Sequence, residues 1–192
     1  MQAQDVLDFW FLPAGAEGHG KQRVEWFRKD AAFDAALGAR FGDVIQQALA
    51  GGLREWDELG PRGTLARIIV LDQFTRNAFR GKPESFAGDT LALDNARQLV
   101  ESGSHLELTP SERQFVYMPF EHAEDARMQE QCVSLFSELA AQHEGFGEAL
   151  DYAHRHRGVI ARFGRFPHRN AILGRASTPE ELAFLELPGS SF

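Results

Sequence analysis

The chain has 192 residues, of which 43% are hydrophobic and 25% charged, with a formal net charge of −8 at pH 7. These values exclude a disordered chain and leave room for one compact domain with a buried core. The negative balance argues against broad affinity for nucleic acid or an anionic membrane.

In chain order, helix signals recur and strand signals hardly appear. Residues 5–12 form a short amphipathic segment stopped by Pro13. Asp5 and Asp8 interrupt its apolar character and no basic residues lead it, so no signal peptide is expected. The loop Gly15-Ala16-Glu17-Gly18-His19-Gly20-Lys21-Gln22 fits most of a phosphate-binding loop. Gln22 stands where Ser or Thr should hold magnesium, however, and no strand precedes it, so a flexible surface loop is expected. Residues 23–50 read as helix, broken near Asp30, with Phe33, Leu37 and Phe41 on one stripe.

The next helix runs from Pro61 to about Phe79. Leu65 to Leu71 is apolar on nearly every side and marks a buried central helix. Its longest uninterrupted aliphatic run, Ile68 to Leu71, is far too short to span a bilayer. Asp89 is an N-cap candidate for a helix ending near Ser102. Thr109-Pro110-Ser111-Glu112 and Thr178-Pro179-Glu180-Glu181 are capping boxes with proline at the first helical position. Pro119 is expected to break the helix begun at Thr109. Residues 125–143 and 147–163 are both periodic. Cys132, the only cysteine, lies in that pattern and reads as a small core residue. The expectation is a soluble, cytoplasmic, all-α protein in one domain, 1–192, of stacked antiparallel helix pairs.

Charge is unevenly spread. From Tyr152 to Pro179 there is no Asp or Glu, yet the stretch holds six arginines and three histidines. Arginine throughout suits bidentate recognition of carboxylate or phosphate. Facing it, we expect the cluster Glu121-His122-Ala123-Glu124-Asp125, whose carboxylates share a helix face. Its plain reading is a set of salt bridges to the C-terminal arginines; its sharper one is a carboxylate–histidine acid–base pair. No Glu-x-x-His or His-x3-His spacing supplies a metal ligand set, and nothing names a cofactor. In the buried helix, Asp72 and Arg76 are four apart, as are Gln73 and Asn77, so each pair is expected to satisfy itself.

These stretches together resemble the bacterial family designated domain of unknown function 924. The matching residues are Val6-Leu7-Asp8-Phe9-Trp10-Phe11, Trp26-Phe27, Leu71-Asp72-Gln73-Phe74, Arg76-Asn77, Arg80-Gly81, Pro119-Phe120-Glu121-His122, Glu124, Phe163-Gly164-Arg165-Phe166-Pro167-His168-Arg169-Asn170 and Leu173-Gly174-Arg175. They cover about residues 4–187. Thr75 stands where the family commonly has Pro, and Ala123 where it commonly has Ser. The resemblance implies a right-handed stack of helix pairs similar to tetratricopeptide repeats, and no activity.

Three readings of function follow. In the first, Arg76, Asn77 and Arg80 join Arg165, His168, Arg169 and Asn170 in a pocket for a small carboxylate- or phosphate-bearing ligand or peptide end. In the second, Glu121 or Glu124 with His122 or His168 forms the acid–base pair of a hydrolase or lyase, with or without a divalent metal. In the third, these groups only hold an adaptor module together.

Overall fold

The computed structural model describes residues 1–190. It is all-α, with no strand among the described residues, and no helix there is long and apolar enough to cross a membrane. The chain divides into two compact units. One holds residues 1–80 and 84–119; the other holds 81–83 and the chain from Phe120 onward.

The first unit opens with α1 (Ala3–Phe11), which buries Val6, Leu7, Trp10 and Phe11. The chain then forms a 3-10 turn over Val24–Trp26 before α2 (Ala31–Leu49). Asp30 does not merely interrupt a longer helix but starts one: its side-chain oxygen accepts from the Ala32 and Phe33 amides at 2.9 and 3.1 Å. That satisfies amide groups a helix start otherwise leaves open. Leu37, Phe41, Ile45 and Ala48 then line the buried face of α2. Aromatic rings fill the interior, with Phe115 edge-on to Trp10 at 5.5 Å and to Trp26 at 4.8 Å. The Trp26 indole N–H donates to the Trp10 carbonyl at 2.9 Å.

The central helix begins as α3 (Pro61–Ile68) and ends as α4 (Thr75–Ala78), with a π-helical segment over Ile69–Phe74 between them. Ile68, Ile69, Val70, Leu71 and Phe74 are completely buried. The Thr75 hydroxyl donates to the Leu71 carbonyl at 2.7 Å, a bond that a proline at this position cannot make. Widening the turn changes which side chains stack. Arg76 still reaches Asp72, at 2.9 Å. Asn77 and Gln73, which are shorter, do not pair as expected: Gln73 donates to Asp72 at 2.6 Å and Asn77 to Asp34 at 2.7 Å.

Next comes α5 (Asp89–Glu101), capped by Gly88 rather than by Asp89. A Cβ on Gly88 would overlap the Leu71 carbonyl, so glycine sets the close approach of this turn to the π segment. The helix α6 (Pro110–His122) starts at the expected capping box, with the Thr109 amide donating to Glu112 at 2.9 Å. Pro119 does not end it. The helix runs through to His122, because proline's fixed φ is helical and only one backbone bond is lost.

In the second unit, α7 (Ala126–Gln142) is capped by Asp125 and forms a hairpin with α8 (Gly147–Phe163). Cys132 is completely buried in α7, and burial pushes its thiol pKa well up, as befits a core residue. Val159, Ile160 and Phe166 form a core on which Phe163 and Phe184 pack. Thr178 and Glu181 close a reciprocal capping box at the start of α9 (Pro179–Leu185).

Gly88→Ala is expected to cost at least about 2 kcal/mol in urea unfolding, since backbone must move to admit the methyl group. Gly42→Ala, in the interior of α2 with nothing within 4 Å of the new carbon, should instead stabilise by about 0.5–1 kcal/mol.

Candidate functional site

The last carbonyls of a helix have no partner within it, and at the end of α6 side chains of the second unit supply them. The Gln129 amide nitrogen lies 3.3, 2.7 and 2.9 Å from the carbonyls of Phe120, Glu121 and Ala123. The Arg169 guanidinium donates to the carbonyl of His122 at 3.0 Å. Arg169 also lies over the Phe166 ring, 4.7 Å from its centre.

Three imidazoles gather around this arginine. The Phe166 ring contacts His156 at 5.4 Å and His168 at 5.7 Å, and His156 faces His122 at 6.4 Å. His156 is buried with its Nδ1 2.9 Å from the Tyr152 carbonyl and 3.3 Å from a Glu121 carboxylate oxygen. Both neighbours are acceptors, so Nδ1 carries the proton. Burial pulls the His156 pKa down to about 3, with His122, Arg169 and His168 adding to the effect. Burial, then Arg169, pulls His168 down to about 4. His156 and His168 are therefore neutral near pH 7 beside a permanent cation. His122 and His168 are only partly buried and meet solvent.

The remaining polar groups are interlocked. Arg175 grips Glu124 with two bonds of 2.6 and 2.8 Å, and the Phe166 amide donates to the same carboxylate at 2.7 Å. Burial pushes the Glu124 pKa up, but Arg175 and the Phe166 amide outweigh it and the net shift is downward. Arg165 holds Glu181 through bonds of 2.7 and 2.8 Å. Asn170 joins the two pairs, accepting from Arg175 at 2.9 Å and donating to Glu181 at 3.3 Å. The Arg165 guanidinium and the Thr178 amide bring Glu181 down to about 2.

Arg76, Asn77 and Arg80 belong to the first unit. Arg76 lies 2.9 Å from both Asp72 and Asp89. Arg80 grips Asp34 with bonds of 2.8 and 3.1 Å, beside Asn77 on the same carboxylate. The catalytic candidates Glu121, His122, Glu124 and His168 all lie in the second unit with Arg165, Arg169 and Asn170. Sequence reasoning missed Gln129, His156 and Arg175 as members of this cluster, and Asp34 and Glu181 as partners. The basic stretch announced His156 and Arg175, whereas nothing local marks Gln129. Among the described residues, no group of three or more His, Cys, Asp or Glu is placed to hold a metal ion.

The chain belongs to the bacterial family of unknown function DUF924, whose model matches residues 6–189. It is similar to the solved structure of a protein of unknown function from Agrobacterium tumefaciens. The two are 40% identical, with 96% of each chain covered and a TM-score of 0.82. No curated protein matches the sequence.

Because the Glu181 pKa falls from 4.5 to about 2 on folding, its ionised form contributes stability that is fully present above pH 4.5 and lost as pH falls through about 2. Glu181→Gln should therefore melt lower than wild type at pH 7, with the deficit shrinking between pH 4.5 and 2. A deficit that stays constant in melting curves across that window contradicts the assignment.

Proposed function

We propose that the protein binds a small carboxylate- or phosphate-bearing molecule at the Arg169–His122–His168 corner of its second unit. The observation that carries this reading is the pairing of two solvent-reachable imidazoles, His122 and His168, with an arginine anchored on a helix end and an aromatic ring. A neutral imidazole can donate a hydrogen bond to an anion, and an approaching negative charge raises its pKa. The guanidinium supplies fixed positive charge with little left to order on binding.

In this proposal the broader pocket expected from sequence narrows. Arg165 and Asn170 hold the corner in place through Glu181. Arg76, Asn77 and Arg80 tie their own unit together through Asp34, Asp72 and Asp89. A second reading, an acid–base enzyme, draws on the buried Glu121–His156 contact at 3.3 Å. It favours that pair over Glu124, which Arg175 already holds. We also propose a place in the cytoplasm, a reading supported by the buried lone thiol, and one working domain over residues 1–192, a reading drawn from the sequence, which has no long linker.

Inorganic phosphate or citrate at roughly ten times its Kd should raise the wild-type melting temperature by about 3 °C. His168→Asn should melt near wild type and lose most of that response. Unchanged melting of wild type with phosphate, citrate and acetate alike would count decisively against anion binding.

A further inference from the structure

The first unit contains a cavity of about 450 Å³ lined by residues of α1, α2 and the segment after α1. This volume lies within the roughly 300–1,000 Å³ of small-molecule sites. Asp5 and Asp8 of α1, which carry carboxylates, and Arg40 of α2, which carries a guanidinium, are among the lining residues. Opposite charges lining one cavity would ordinarily pair. Here they do not.

Asp5 accepts from the Gln2 amide at 2.8 Å and Asp8 from the Gln4 side-chain amide at 2.7 Å, both neutral donors. Arg40 lies over the Phe9 and Phe41 rings, 5.6 and 5.0 Å from their centres. Among the described residues it makes no hydrogen bond or ion pair. The cavity's other arginine, Arg23, is already engaged. It donates to the Phe9 and Trp10 carbonyls at 2.8 and 2.7 Å, and its Nε lies 3.6 Å from Glu25.

From this we infer that the cavity bounded by Asp5, Asp8 and Arg40 binds a zwitterion with an apolar body: a free apolar amino acid or a short apolar peptide. Its ammonium meets the two carboxylates and its carboxylate meets Arg40. A simple anion would face two aspartates, and a simple cation would face an arginine, so only a molecule carrying both charges complements the whole lining. Phe9, Leu12 and Pro13 supply the apolar wall. Arginine on aromatic rings is held in place without being neutralised, which leaves its N–H donors for a carboxylate. This site shares no residue with the corner proposed for the second unit.

Melting curves of wild type, Asp8→Asn and Arg40→Gln test it, with each apolar L-amino acid, Leu-Leu, N-acetyl-L-leucine and L-leucine amide as probes. Both altered residues lie outside the buried core, so the variants should fold. A free amino acid or Leu-Leu should stabilise wild type. N-acetylation or amidation should weaken binding at least tenfold, as should either substitution, while Arg40→Lys should restore part of the loss. An effect of amino acids but not Leu-Leu identifies a free amino acid as the ligand; the reverse identifies a peptide. Wild-type melting that no probe moves overturns the proposal. So does binding that survives both substitutions or both blocking groups.

Discussion

The carbonyl end of α6 needs donors, and Gln129 and Arg169 provide them. Much of the second unit's polar chemistry depends on this. A buried carbonyl without a partner costs about 1–3 kcal/mol, so the two side chains are tied to the helix end and cannot drift. Gln129 fixes the turn that carries Glu121. Arg169 fixes His122 by its backbone and lies over Phe166, whose ring contacts both His156 and His168. His156, buried, and His168, partly buried, are thereby confined beside a permanent positive charge. Neutrality is the state that arrangement permits.

The same economy of partners explains the acid-free stretch from Tyr152 to Pro179. Its arginines reach acids that lie outside it. Arg175 takes Glu124 from the α6–α7 turn, and Arg165 and Arg162 take Glu181 and Glu180 from α9. Planar guanidinium groups suit these bidentate contacts better than ammonium groups would. Arg165–Glu181 and Arg175–Glu124 also share Asn170, so removing one member disturbs both pairs. Exposed pairs such as Arg162–Glu180 contribute far less.

Much of the fold was legible in the sequence because helix starts are local. The capping boxes at Thr109 and Thr178 act over three residues, and α8 runs over 147–163 as the periodicity indicates. The family resemblance was legible too, resting on long runs such as residues 163–170. The π segment at Ile69–Phe74 was not, since an apolar run reads the same for either helix type, and its wider turn redirected Asn77 to Asp34. Pro119 looked like a helix end because its lost backbone bond is plain in the sequence, whereas the helix continues through it to His122. The Glu124 salt bridge to the C-terminal arginines was foreseeable from charge segregation. Gln129 and Glu181 were not, because a polar side chain in a helix does not announce which distant group it will satisfy.

Resolved imidazole titrations of the seven histidines, followed by NMR from pH 8 to the onset of acid unfolding, probe the confinement around Arg169 most directly. His156 should remain neutral to about pH 3 and His168 to about pH 4, or until the protein unfolds if that comes first. A folded protein in which both titrate near the ordinary 6.5 would mean that water, not the Arg169 and Phe166 side chains, surrounds these rings.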